Sequence, residues 1–214
     1  MLRKAIISGA LKPGERLIEQ KLAAKMGIGQ PTLREALKDL EYQGFVKKIP
    51  QRGTYVTKLG KEDCRKILEV RIILEALAIS SAARNMNPRI ETELEHLVSE
   101  MRSVTASGDL AKFHDLDVKF HRQIWDVAGN EYLTKALEAT SFQLFAFALL
   151  DLGPDLIKQR RLAVEQHKGI LEGLRTHDSV KARLAFVGHT VKYWNELYPV
   201  DLSQEQLVAS SSTR

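Results

Sequence analysis

Cysteine is almost absent from this 214-residue chain. Cys64 stands alone, which excludes an internal disulfide and fits a reducing cytoplasm. No apolar run is long enough to cross a bilayer: the longest stretch, Phe142 to Leu150, holds nine residues and reads as a buried helix turn. The opening residues carry charge and a few apolar side chains, without a secretory core or cleavage pattern. Internal repeats and low-complexity stretches are missing, and the ordinary globular composition excludes wholesale disorder. Acidic charge is scarce at one end only. Residues 1–60 hold twelve Lys/Arg against five Asp/Glu, whereas the remainder holds twenty against twenty-two. Basic charge concentrated in a small N-terminal segment is the electrostatic footprint of a nucleic-acid-binding module, or, read blandly, a solvated basic face.

The patterning of that segment decides between the two. Helices are predicted over 2–8, 19–26 and 30–43, the second burying Leu22, Ala23 and Met26. Gly27-Ile28-Gly29 makes the tight turn between the second and third. Leu33, Ala36, Leu37 and Leu40 share one face of the third helix, and Pro31 sits in its first turn, where a missing N–H costs nothing. Residues 45–49 and 54–57 alternate around Pro50-Gln51-Arg52-Gly53 as a hairpin. Helix, glycine turn, helix and basic-tipped hairpin make a winged helix-turn-helix: a helix slim enough for the major groove, with a hairpin touching an adjacent groove or the backbone. Opposite its leucines the third helix presents Gln30, Thr32, Arg34, Glu35 and Lys38. Arg34 can reach a guanine edge or a phosphate, and Arg52 at the wing tip stands beside Gly53, which lets the backbone come close to DNA.

The rest is read as mainly α, an antiparallel bundle of about six helices over 62–85, 89–107, 109–128, 130–151, 154–176 and 178–198. Each break carries turn or capping residues. The domain plan is therefore 1–57 for the winged module, 58–61 for a linker, 62–198 for the helical domain and 199–214 for a polar tail. In the third bundle helix Asp117 and His121 lie one turn apart beside the stripe Phe113, Leu116, Phe120, Ile124 and Val127. His167 falls among Val164, Ile170, Leu171 and Leu174, and His189 among Ala185, Phe186 and Tyr193. One inward histidine is ordinarily a hydrogen-bonded core residue. Four inward polar groups are costly to bury unless they share a partner, and a divalent transition metal is such a partner: zinc first, then nickel, manganese or iron. His114 competes for a place in the set, while His96 reads as a surface residue and His177 as a turn residue.

The run Ile6-Ile7-Ser8-Gly9-Ala10-Leu11-Lys12-Pro13-Gly14-Glu15-Arg16-Leu17, with Leu33-Arg34-Glu35-Ala36-Leu37, Gly44-Phe45-Val46 and Arg52-Gly53-Thr54-Tyr55-Val56, resembles the DNA-binding domain of the GntR family. Glycine stands at 29 where that family commonly has Ser or Thr, and Gln30 replaces a usual cation, which alters the expected operator preference. The first helix reads as short, as though residues preceded Met1. Downstream, Arg71-x-x-Leu74-Glu75, Asp117-x-x-Phe120-His121, Gly129-Asn130, Glu165-Gln166-His167 and His189 resemble the FCD ligand-binding domain of the FadR subfamily, in its six-helix, metal-binding, VanR-like branch.

The resemblance implies Arg34 and Arg52 as DNA contacts, with Gln20, Gln30 and Thr32 as weaker ones, and Asp117, His121, His167 and His189 as metal ligands. It favours Arg71 as an effector-carboxylate anchor over a surface ion pair with Glu75, and leaves Asn130 as either a pocket residue or a helix N-cap. The expected molecule is a cytoplasmic, nucleoid-associated homodimeric repressor of a palindromic double-stranded DNA operator. It is governed by a small carboxylate effector and has no membrane association. The rival readings are a metal-dependent hydrolase or lyase with a basic appendage, for which no general base is evident, and a repressor for which the metal itself is the signal.

Overall fold

A computed structural model describes residues 1–150, 156–198 and 200–203. They divide into two compact units: 1–59 with 142–150, and 60–141 with the described residues from 156 onward. In the first unit α1 (Leu2–Ile7) is followed by β1 (Arg16–Leu17), α2 (Glu19–Met26), α3 (Gln30–Tyr42), β2 (Val46–Ile49) and β3 (Gly53–Val56). The turn after α2 closes because Gly27 takes φ +66°, a left-handed conformation that only glycine adopts cheaply, so that the Ile28 N–H returns to the Ala23 carbonyl. Gly29 then sits extended as the N-cap of α3, with proline in its first turn. Leu33, Leu37 and Leu40 are buried on one stripe of α3. In α2 only Ala23 is buried; Leu22 and Met26 are half-covered, because so short a helix turns a narrow face inward.

The hairpin forms where expected, with Val46 opposite Val56 and Ile49 opposite Gly53, so Gly53 opens the second strand instead of closing the loop. A third strand joins it: β1 pairs antiparallel with β3, Arg16 opposite Tyr55 and Leu17 opposite Thr54, giving the order β1-β3-β2. Two residues are too few to show alternation, which is why the sequence pattern contains no trace of β1.

The second unit contains α4 (Lys61–Asn85), α5 (Pro88–Ser107), α6 (Leu110–Val127), α8 (Leu156–Leu174), α9 (Ser179–Leu197) and the start of α7 (Glu131–Leu150). The boundaries follow side-chain caps that satisfy free N–H groups in the first turn. Asn87 Oδ1 accepts from Arg89 and Ile90, Asp109 from Lys112, and Asp178 from Val180 and Lys181. α4 is the central helix, burying Leu68, Arg71, Ile72, Glu75, Ala76 and Ile79 along its length. The predicted break at Gly153-Pro154 lies outside the described residues. Residues 200–203, assigned to the polar tail, are instead tied down: Val200 and Leu202 are buried, and the Asn195 side-chain amide both donates to the Leu202 carbonyl and accepts from its N–H.

α8 and α9 approach closely because Gly169 and Gly173, one turn apart, face α9 without side chains. A Cβ on Gly173 would stand 2.7 Å from that of Ala185. Gly173→Leu should therefore overpack this contact and lower stability by roughly 1–3 kcal/mol, read as a reduced midpoint in urea denaturation. An unchanged midpoint would show that the helices separate without cost.

Candidate functional site

The polar face of α3 is open. Gln30, Thr32, Arg34, Glu35 and Lys38 are all exposed opposite the buried leucines. Arg34 donates to Glu19 of α2 at 2.8 Å, and Lys38 donates to Glu35 at 2.8 Å. These are solvated pairs that hold the cations over the helix surface at little energetic gain. Gln20 is exposed in the first turn of α2. At the wing, Gln51 adopts φ +60° and Gly53 φ +108°, folding the loop so that Arg52 projects into solvent. The Arg16 guanidinium lies against Gly53, 3.4 Å from where a Cβ would be. With exposed Lys47 and Lys48 it makes the wing more basic than Arg52 alone. Sequence reasoning missed Arg16 because it missed β1.

In the helical unit Asp117, His121 and His167 converge, their ligand atoms all within 4.8 Å of one another. The orientation of each ring follows from its other nitrogen. His121 Nδ1 is 2.6 Å from Glu75 Oε1, and His167 Nδ1 is 2.6 Å from the Ala163 carbonyl oxygen. Both acceptors require the proton on Nδ1, which leaves each Nε2 with a bare lone pair. Those lone pairs turn towards Asp117. His167 Nε2 approaches Asp117 Oδ1 to 2.8 Å but without hydrogen-bond alignment, and it has no hydrogen-bond partner among the described residues. His121 Nε2 lies 3.9 Å from the same oxygen and 3.5 Å from Arg71 Nη2, too far for more than a weak hydrogen bond. Three lone-pair donors facing one another in a buried space suit a shared cation. A carboxylate or carbonyl behind each imidazole is the arrangement that orients histidine ligands.

The support behind this group is Glu75, which the sequence treats only as the partner of Arg71. Arg71 and Glu75 are 2% and 0% exposed and bond at 2.9 Å, so theirs is a buried pair rather than a surface one. The Trp125 indole N–H also donates to Glu75, at 2.9 Å. Burial opposes the charge of Glu75, yet Arg71, His121 and Trp125 outweigh it and hold its carboxyl at about 2. Burial opposes Asp117 likewise, but the contact with His167 and the positive charge that His167, His121 and His114 carry when protonated keep its carboxyl well below the usual carboxylate range. Burial pushes the His121 ring down, against the pull of Glu75, towards the neutral form that a metal requires.

Two expected site residues are not brought to this group. His189 is exposed, its ring lying on Gly169, where a Cβ would fall 2.2 Å from Nε2. The buried stripe of α9 runs through Phe186, Thr190, Val191 and Trp194, which turns residue 189 outward. Asn130 is exposed and caps α7, accepting from the Tyr132 and Leu133 N–H groups at 3.2 Å. His114 is buried near Asp117 outside the converging set. His96 and His177 are exposed beside Glu100 and Glu91.

Residues 66–191 match the family model for the FCD domain, and residues 1–56 match that for bacterial regulatory proteins of the gntR family. The chain is 28% identical over 189 residues to the uncharacterized HTH-type transcriptional regulator YdhC of Bacillus subtilis, covering 88% of this chain and 84% of that protein. It is 29% identical over 191 residues to a probable D-xylose utilization operon transcriptional repressor of Paenarthrobacter nicotinovorans, covering 88% and 81%. Among solved structures, E. coli McbR/YncC superimposes with a TM-score of 0.73 at 24% identity, over 92% of this chain and 93% of that one. A GntR regulator from Rhodococcus sp. RHA1 superimposes with a TM-score of 0.63 at 18% identity, over 100% and 95%, a likeness of fold.

Glu75→Leu should strand a buried guanidinium and release the His121 ring, at a cost of about 3–5 kcal/mol. Thermal unfolding followed by circular dichroism measures this; a melting temperature equal to wild type would show that Glu75 is dispensable to the group.

Proposed function

The chain belongs to the GntR family of bacterial transcription regulators and carries the FCD domain of the FadR-like subfamily, and from that premise we propose that a divalent metal held by Asp117, His121 and His167 is part of its effector site. The relatives are DNA-binding transcription regulators, not enzymes, which sets aside the hydrolase or lyase reading. Regulators of this family bind operator DNA and typically dimerise. Among the described residues no helix is long and apolar enough to cross a membrane.

One observation carries the metal reading: both histidines spend Nδ1 on fixed acceptors, and the Nε2 of His167 is left buried without a hydrogen-bond partner among the described residues. Two imidazoles and a carboxylate suit first-row divalent ions, zinc first, with nickel, manganese and iron as alternatives. With His189 outside the set, such an ion keeps positions for outside ligands and supplies a Lewis-acidic point to which an oxygen of a small organic acid binds. Arg71, beside His121, supplies positive charge for the acid's carboxylate. On the DNA side Arg34, Gln30, Thr32 and Lys38 of α3 meet the major groove. Gln20 meets the backbone, and Arg52, Gly53 and Arg16 of the wing reach the neighbouring groove. A homodimer presents two such heads to a palindromic operator. Repression is relieved because the acid binds the DNA-free state more tightly than the DNA-bound one.

Elemental analysis of purified protein should find near-stoichiometric metal in wild type and none in the double variant His121→Ala/His167→Ala. Absence of metal from reloaded wild type would overturn the site. In fluorescence anisotropy with operator DNA, Arg34→Ala should weaken binding about tenfold or more. The double variant should bind DNA as wild type does but lose its response to organic acids. Retention of that response would place the effector elsewhere.

A further inference from the structure

Arg160 lies near the start of α8 and is only 6% exposed, yet its Nε and Nη2 atoms have no hydrogen-bond partner among the described residues. Its guanidinium stacks over the Phe113 ring, 4.8 Å from the ring centroid. That contact uses none of the guanidinium's N–H groups and leaves its Nε and Nη2 edge open. The location is specific. Phe113 precedes Asp117 by four residues on α6, about 6 Å along the helix axis. Arg160 precedes His167 by seven residues, two turns back on the same side of α8. The half-buried Tyr193 feels Arg160, Asp117 and Arg71 together, burial pushing its hydroxyl well above the ordinary range. A permanent cation thus faces the same interior, over a ring about one helical turn from Asp117 on α6 and two turns from His167 on α8.

A buried guanidinium without an anion is costly, and a fold retains such a charge where a ligand compensates it. Its planar fork matches the two oxygens of a carboxylate. We propose that Arg160 grips a second carboxylate of the effector, so that the effector is a short dicarboxylate held at one end beside Asp117, His121 and His167 and at the other by Arg160. The inference rests on the organic-acid site proposed above and specifies which acids that site takes. Monocarboxylates fill one end and leave Arg160 unmatched; diacids engage both.

The test uses full-length, zinc-loaded protein with acetate, succinate and glutarate as probes, affinities coming from calorimetry and melting temperatures from scanning fluorimetry. Wild type should bind one of the diacids about tenfold or more tighter than acetate. Arg160→Met keeps the stem over Phe113. It should lose that preference while acetate affinity and zinc content stay at wild-type values, and Arg160→Lys should recover part of it. Without ligand, Arg160→Met should melt at or above wild type, since an uncompensated charge has been removed; a packing role would lower the melting temperature instead. A variant that keeps the diacid preference, or one that melts lower and loses zinc, overturns the proposal. Wild type that holds zinc and binds acetate but shows no diacid preference defeats the role of Arg160 alone. Wild type that binds neither zinc nor any acid defeats the organic-acid site, and this inference with it.

Discussion

The hydrogen bond between His121 Nδ1 and Glu75 Oε1 is the contact on which the helical unit's chemistry depends. It fixes the tautomer of the ring, turns the other nitrogen towards Asp117 and joins α6 to α4 through a carboxylate that also pairs with Arg71 Nε. Trp125 closes the remaining lone pair of that oxygen. Every polar atom of Glu75 is thereby engaged, which is the condition under which a fully buried charge is tolerable. His167 obtains the same fixed tautomer from a different source, the carbonyl one turn earlier on its own helix. Two rings on different helices, each committed through Nδ1, leave their Nε2 atoms to a common point.

Much of this was legible in the sequence, and the exceptions have physical causes. The helix limits came out within a few residues because caps such as Asn87, Asp109 and Asp178 act on their immediate neighbours. The Asp117 and His121 pairing follows from i, i+4 geometry, and His167 from its apolar surroundings. His189 faces outward in the structure, although Ala185, Phe186 and Tyr193 suggest an inward face. The buried stripe in fact runs through Ala182, Phe186, Thr190 and Trp194, its position set by the close approach that Gly169 and Gly173 allow. Glu75 and Arg160 escaped for a shared reason. The partner of Glu75 is 46 residues away, and Arg160 sits in a polar stretch, Gln159-Arg160-Arg161, that reads locally as surface. Long-range burial of charge leaves no local period.

The two units divide the electrostatics between them. The N-terminal one carries the chain's excess of basic charge on exposed surfaces, where Arg34, Lys38 and Arg52 stay solvated and accessible to phosphates and base edges. The helical one draws its functional charges inward, Arg71, Glu75 and Arg160 buried and Asp117 half-buried, where low polarity strengthens each interaction. Exposed cations suit a large polyanion with many similar contacts. Buried and partly unmatched groups suit a small ligand that completes them one at a time. A regulator needs both kinds of surface.

The most direct test of the central claim is X-ray diffraction from crystals of the metal-loaded protein, with data collected on both sides of the metal's absorption edge. A single strong anomalous peak per chain is expected in bonding contact with His121 Nε2, His167 Nε2 and an Asp117 oxygen, with Glu75 and Ala163 still holding the two Nδ1 atoms. A peak beside His189 without these three residues, or no peak between them while His167 and Asp117 share only a proton, would contradict it.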